Sequence, residues 1–374
     1  MRLLPMMLPD TAGAARRAEL RYVSSDEPGI RRLRSGRAFR YVRSNGSAVR
    51  NGETLARIRS LAIPPAWKDV WICPDENGHL QATGKDARGR TQYRYHPRWR
   101  EVRDEAKYHD VVAFARSLPE LRRRVASDLA HPKLSKAKVL ATVVRVLEYT
   151  CIRVGNDRYA ASNRSYGLTT LLDRHANFRK GAVEFRFRGK GGKPYRAKLQ
   201  DARLASIVKR CRDIPGQRLF QYVDDAGEYR AVTSTDVNEY LKRAMGRPFT
   251  AKTFRTWAGT LATAVLLSGT KRPHGARAGE RAVRRAVERV AEELGNTVAV
   301  CRRSYVHPAI VTAFERGALE RRFRPRTRSM RNGASHLLPE ERAVLALLGG
   351  RTSRHRRLRR GRARRERGAQ SVFK

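Results

Sequence analysis

Apolar positions along the chain fall into two textures. Val139, Leu140, Val143, Val144 and Leu147 recur three and four residues apart, as do Val283, Val287, Val290 and Leu294, and this spacing predicts amphipathic helices. Gly295, directly after the second run, predicts a helix stop. Within this helix-rich stretch, Ala182 to Phe187 and Tyr195 to Leu199 flank the turn Gly189-Lys190-Gly191-Gly192 and predict a strand pair. Nearer the N-terminus the texture is mixed. Glu53 to Leu61 predicts a short helix stopped by Pro64-Pro65, and Val70 to Cys73, His79 to Thr83 and Gln92 to Tyr95 predict short strands with turns at Asn77-Gly78 and Gly89. His96-Pro97 breaks that unit. Past Arg321 the pattern degrades, with a short helix expected from Pro339 through Leu348. The expected fold is α+β: a small strand-rich N-terminal module, then a larger, mainly helical domain with a β-hairpin. The expected divisions are a flexible leader over 1–28, the α+β module over 29–97, the helical domain over 98–325 and a basic C-terminal extension over 326–374.

Charge narrows the partners. Lys and Arg number 81 against 35 Asp and Glu over 374 residues, a formal net charge of +46. A folded chain this basic needs polyanionic company, most commonly nucleic acid, and small neutral or cationic substrates fit poorly. Only 15 of the basic residues are Lys, so part of the charge can reflect coding bias. The segment Arg351 to Lys374 holds 11 basic residues and one acid, Glu366, so the first 350 residues still carry +36. The body is basic as well as the tail.

Four cysteines, Cys73, Cys151, Cys211 and Cys301, form no CxxC pair and read as reduced thiols of a cytosolic protein. The apolar run Leu3 to Leu8 is broken by Pro5 and too short for a signal-peptide core, and no stretch approaches a membrane span. The expectation is a cytoplasmic protein at the nucleoid. HExxH and His-rich clusters are absent, and Asp224-Asp225 reads as a hairpin turn. A two-metal nuclease needs several converging carboxylates. Gly189 to Lys193 lacks the spacing and the final Ser/Thr of a P-loop. The expectation is chemistry without metal, ATP or other cofactor.

Four places hold residues able to act on a phosphodiester. Arg153 follows an amphipathic helix, where a guanidinium can clamp phosphate bidentately or simply end the helix in solvent. Lys190 sits at a glycine-flanked hairpin tip, suited to donate a proton to a leaving oxygen or to stand solvated. Lys252 and Arg255 are three apart and would share a helix face. Tyr305 follows two arginines; a tyrosine beside positive charge can serve as a nucleophile, although a lone tyrosine more often packs.

Their order is more specific than any one of them. Arg153, a hairpin Lys190, Lys252-Thr253-Phe254-Arg255, and Gly295-Asn296-Thr297 with Tyr305 nine residues after Asn296 resemble the type IB DNA topoisomerases, in particular the short poxvirus-like and bacterial branch. The resemblance runs from about Gly29 to Gly317 and takes in Leu80 to Tyr95, which is similar to the family's DNA-gripping segment. It implies a catalytic domain of the type shared with tyrosine recombinases. By position it implies Tyr305 as nucleophile, Arg153 and Arg255 as phosphate clamps, Lys190 as general acid and Asn296 where many relatives carry His. It also implies Lys252, Lys85, Arg88, Gln92, Tyr93 and Tyr95 as DNA contacts. The implied activity is relaxation of supercoiled duplex DNA through a 3′-phosphotyrosyl link, by a monomer closing around the duplex.

One geometric condition follows. A straight helix of nine residues spans roughly 13 Å, so Asn296 and Tyr305 reach one phosphate only if the chain breaks near Gly295 to Thr297. The nearest rival is a tyrosine recombinase, which usually shows HxxR where this chain has Lys252-Thr253-Phe254-Arg255 and has a helical front domain. A non-enzymatic DNA-binding protein, a metal-dependent nuclease and an ATP-driven topoisomerase rank below it.

Overall fold

The computed structural model describes residues 11–36, 38–270, 275–323 and 336–349. Backbone contacts divide the chain into a first unit ending at His109 and a second beginning at Asp110.

The first unit opens with helix α1 (Thr11–Arg17). Its sheet contains β1 (Ile30–Ser35), β2 (Ala38–Val42), β3 (Lys68–Ile72), β4 (Leu80–Lys85) and β5 (Thr91–Tyr95), in the order β2-β1-β3-β4-β5 with every pairing antiparallel. Helix α2 (Gly52–Ser60) begins on Asn51, whose side chain accepts from Thr54 N at 2.8 Å. Side chains alternate across the strands. Ile30, Val70, Ile72 and Ala82 bury with Ile58 of α2, while Val23, Cys73 and Leu80 bury with Trp71 and Tyr95. The strands and helix expected over 53–95 are present with ends shifted by at most two residues. The pair β1–β2 was not legible, because Ile-Arg-Arg-Leu-Arg-Ser exposes most of its side chains beside an edge strand and offers little apolar rhythm. The leader expected over 1–28 differs from what the structure shows for 11–28. Ala14, Ala15, Ala18 and Leu20 bury against Trp99, and Arg21 N donates to Asn77 O at 2.9 Å. Alanines bury too little surface each to stand out as an apolar stripe. Residues 1–10 lie outside the described residues.

Helix α3 (Pro97–Ala130) carries the chain from the first unit into the second. There follow α4 (Lys136–Thr150), α5 (Asp157–Asn163), and an antiparallel sheet of β6 (Ala176–Arg179), β7 (Ala182–Arg188) and β8 (Pro194–Leu199). Helix α6 (Ala202–Arg212) leads to the hairpin β9 (Gln221–Val223) and β10 (Tyr229–Ala231). Helices α7 (Ser234–Met245), α8 (Ala251–Ser268), α9 (Ala276–Glu293), α10 (Val298–Tyr305), α11 (Pro308–Glu315) and α12 (Ala318–Phe323) come next. One core of Phe114, Leu140, Leu147, Phe185, Phe220 and their neighbours joins α4, the hairpin and the later helices. Helix α4 is buried on nearly every side from Lys138 to Leu147, as its almost unbroken apolar sequence requires. Asp224 caps the β9–β10 turn, accepting from Ala226 N, Glu228 N and Arg230 Nε at 2.9–3.1 Å.

A helical segment over 339–349 follows, and its Val344 and Leu348 bury in the same core. Arg122 donates to both carboxylate oxygens of Glu341 at 2.8 Å and to Glu148 at 2.7 Å, and Trp257 Nε1 lies 3.3 Å from Glu341. This part of the expected basic extension is therefore docked structure, while 326–335 and 350–374 lie outside the described residues. Among the described residues no group of three or more His, Cys, Asp or Glu is placed to hold a metal, and no helix is long and apolar enough to cross a membrane.

Candidate active site

The site forms where α4 and α9 end. Cys151 closes α4 at φ 51°, in the left-handed region. Helix α9 closes with Gly295 N donating to Glu292 O at 2.9 Å and Asn296 N to Ala291 O at 2.8 Å, with Gly295 at φ 58°. This paired closure uses glycine because the conformation penalises a Cβ. Thr297 then caps α10, accepting from Val300 N at 3.3 Å. The break expected between Asn296 and Tyr305 is thus present at Gly295 to Thr297.

The last carbonyls of a helix lack intrahelical partners and carry the negative end of its dipole. Arg255 of α8 takes one from each ending: Nη1 donates to Cys151 O and Nη2 to Leu294 O, the latter at 2.6 Å. These bonds allow a guanidinium to sit at 2% exposure without a carboxylate. Its central carbon lies 5.2 Å from the centre of the Tyr305 ring. Arg153, just past α4, donates from Nη2 to Gly295 O at 3.2 Å and to Asn296 Oδ1 at 2.5 Å. Burial and the like charge of Arg255 push the Arg153 guanidinium below its ordinary value, with Tyr305 and Tyr195 opposing. An arginine starts far enough above neutrality to stay charged through such a shift. Two like charges held together in a half-buried site favour an anion between them. Asn296 Nδ2 and Arg255 Nε are buried and find no hydrogen-bond partner among the described residues.

The backbone of Tyr305 is fixed from α8. Thr260 Oγ1 donates to Tyr305 O at 3.2 Å and accepts from His307 N at 3.1 Å. Gly259 lets the two helices approach closely, since a Cβ there would stand 2.8 Å from Tyr305 O and 3.0 Å from Tyr305 Cβ.

Arg153, Arg255, Asn296 and Tyr305 are therefore brought together. Lys190 stands exposed in the short 3₁₀ turn Lys190–Gly192 at the β7–β8 tip, and no hydrogen bond or ion pair joins it to those four. Lys252, in the first turn of α8, is exposed one turn from the buried Arg255, so the expected shared face divides into an exposed and a buried cation. The other expected DNA contacts lie in the first unit. Tyr93 and Tyr95 stack with ring centres 5.9 Å apart, and Tyr93 is 50% exposed. Gln92, on the opposite face of β5, donates to Asp86 Oδ2 at 3.0 Å. The Arg90 hydrogen bond holds that carboxyl down to about 2, against the opposing effect of burial. Lys85 pairs with Asp69 at 2.8 Å, and the Arg88 side chain is exposed at the turn.

Several residues of this site carry no signal in the pattern of the chain. Tyr195 reads only as a strand aromatic, and the carbonyls of Cys151 and Leu294 are backbone. Gly259 is the exception, because an isolated glycine inside a helical run marks either a weakness or a close approach. A basic cavity of about 780 Å³ beside the hairpin was also missed; it is lined by Arg164, Arg174, Arg186, Arg188 and Arg196 with Tyr166, His175, Phe187, Pro194 and Tyr195.

The family described as eukaryotic DNA topoisomerase I, catalytic core, matches residues 96–321, and that described as bacterial DNA topoisomerase IB, N-terminal domain, matches residues 38–86. DNA topoisomerase 1B of Acanthamoeba polyphaga mimivirus is 32% identical over 285 residues, covering 74% of this chain and 85% of the relative. Among solved structures, a post-cleavage complex of the XerH site-specific recombinase with its palindromic difH substrate superposes with a TM-score of 0.33 at 16% identity, over 50% of this chain and 47% of that one.

Proposed function

The chain belongs to the type IB DNA topoisomerases, and from that premise we propose that Tyr305 is its nucleophile, Arg153, Arg255 and Asn296 its phosphate cradle, and Lys190 its general acid. The enzyme is a type I DNA topoisomerase that relaxes supercoiled duplex by cutting and resealing one strand through a 3′-phosphotyrosyl intermediate. The site reading rests on one observation: two arginines and an amide converge beside the Tyr305 ring, with two buried donor atoms still unpaired. An unpaired buried donor costs about 1–3 kcal/mol, and phosphate oxygens would relieve that cost.

In this scheme the Tyr305 phenol gives up its proton to solvent and its oxygen attacks phosphorus in line with the 5′ oxygen. The pentavalent phosphorus carries extra negative charge, which Arg153, Arg255 and Asn296 Nδ2 receive through donors already in place. The P–O5′ bond breaks as Lys190 gives its proton to the leaving oxygen. The phosphotyrosine keeps the bond energy, and the freed 5′-OH returns to phosphorus to reseal the strand.

The first unit is the DNA-gripping module in this reading, through Tyr93, Tyr95, Gln92, Lys85 and Arg88, over the span 29–97 expected for it. The catalytic domain is read over 98–325. Lys252 and the arginine-lined cavity hold further backbone, the enzyme closes on duplex as a monomer, and it works at the cytoplasmic nucleoid. Lys85 can exchange Asp69 for phosphate at small cost, since exposed ion pairs contribute only about 0–1 kcal/mol.

The test is relaxation of supercoiled plasmid, with denaturing gels to trap covalent adduct. Tyr305→Phe is expected to bind DNA with unchanged affinity, form no adduct and relax nothing. Adduct or relaxation at wild-type levels would remove Tyr305 from the scheme.

A further inference from the structure

The hairpin that carries Lys190 is tied to the phosphate cradle by one side chain on its returning strand. Tyr195 of β8 directs its hydroxyl at Thr150 O, 3.2 Å away, and Glu293 O, 3.3 Å away. These residues immediately precede Cys151 and Leu294, whose carbonyls hold Arg255. Arg255 and Tyr195 thus staple the same two helix endings, one bearing a clamp and the other bearing the hairpin. The Tyr195 ring lies against the break before Asn296: a Cβ on Gly295 would come within 3.0 Å of it. On the hairpin side it pairs with Phe187 across the strands, ring centres 5.3 Å apart.

Lys190 depends on such an anchor. Between it and Tyr195 lie Gly191, Gly192, Lys193 and Pro194, and both glycines sit at φ 76°. Gly189 N donates to Lys193 O at 2.7 Å and closes the tip at its base. The tip has little side-chain packing of its own, so its placement follows from where β8 is fixed. Burial pushes the Tyr195 phenol above its ordinary value, against Arg255 and Arg153, which keeps it a donor at working pH.

We propose that Tyr195 is a positioning residue that seats the Lys190 hairpin on the phosphate cradle, so that proton delivery to the leaving 5′ oxygen depends on its hydroxyl. The proposal rests on the reading of Lys190 as general acid: the lysine ammonium loses a proton to O5′ as the P–O5′ bond breaks, while the Tyr305 phenol loses its own proton to solvent and its oxygen bonds to phosphorus.

The experiment compares single-turnover cleavage of two duplexes that differ in one atom, the bridging 5′ oxygen of the scissile phosphate being sulfur in the second. A thiolate leaves without a proton, so loss of the acid slows only the oxygen substrate. Lys190→Ala is expected to be slower on oxygen by about 10²–10⁴ and near wild type on sulfur. Tyr195→Phe, which keeps the ring, is expected to lose about 10- to 100-fold on oxygen and also recover on sulfur. The double variant is expected to be no slower than Lys190→Ala. The oxygen-to-sulfur ratio is taken within each variant, so a loss of stability does not imitate the effect. Equal slowing of both substrates by Tyr195→Phe, or a multiplied defect in the double variant, overturns the proposal while leaving Lys190 in place. No recovery of Lys190→Ala on sulfur overturns the reading of Lys190, and this proposal with it.

Discussion

Arg153 donates to the side-chain oxygen of Asn296 at 2.5 Å, and that bond decides which end of the amide is left over. A guanidinium has donors only, so Oδ1 must face it and Nδ2 becomes the spare group. Nδ2 is buried and has no partner among the described residues. In the proposed site an Asn therefore supplies a hydrogen bond to phosphate without charge.

The Asn296 substitutions separate donor from charge. Asn296→Asp keeps an acceptor for Arg153, removes the donor and adds a negative charge, and is expected to lower cleavage by at least about 10²–10³. Asn296→His restores a donor and is expected to stay within about tenfold of wild type by the same comparison. Single-turnover cleavage at saturating enzyme measures both; a wild-type rate for Asn296→Asp would mean that Nδ2 does not face the reacting phosphate.

Gly259→Ala gives a prediction whose sign is informative. Replacing a helix-interior glycine with alanine ordinarily stabilises by about 1 kcal/mol. Here the added methyl would stand 2.8 Å from Tyr305 O. The expected result is a lower melting temperature, corresponding to about 1–3 kcal/mol, and cleavage slowed more than DNA affinity is weakened. A raised melting temperature would contradict the close contact of α8 with the Tyr305 backbone.

The docked segment 336–349 makes stability depend on acid. Burial alone would raise the Glu341 carboxyl, but hydrogen bonds from Arg122, Leu338 N and Trp257 outweigh it and leave it below its ordinary value. A carboxyl depressed in the folded state adds stability that is present above its unfolded value, about 4.3, and is lost as pH falls through the folded value. Glu341→Gln is expected to cost about 1.5–3 kcal/mol near neutrality. Its melting temperature should also change less than that of the wild type between pH 6 and pH 3. Parallel curves for the two proteins would show that the charge of Glu341 is not what holds the segment.

The arginine-lined cavity is read as a grip on duplex backbone. Each phosphate neutralised contributes about −0.9 to the slope of log affinity against log salt. Arg164→Ala combined with Arg174→Ala is expected to flatten that slope by up to about 2 by the same relation, with a smaller effect on cleavage at saturating enzyme. An unchanged slope would place the duplex elsewhere.

Apolar rhythm made the longer elements legible in the chain, and side-chain type made the candidate reactive groups legible. The runs from Val139 to Leu147 and from Val283 to Leu294 became α4 and α9, and the strands flanking Lys190 became β7 and β8. The order of Arg153, Lys190, Arg255, Asn296 and Tyr305 could be read because side-chain type survives in a linear string. It could not show β1 and β2, whose exposed arginines mask the alternation, or the packing of 11–28, built from small alanines. What Arg255 touches arises only on folding. Folding places the carbonyls of Cys151 and Leu294, from helices more than a hundred residues apart in sequence, on one guanidinium, and the hydroxyl of Tyr195 on the carbonyls just before them. Backbone carbonyls are the same in every residue, so the geometry of two converging helix ends leaves no mark on the sequence that forms it.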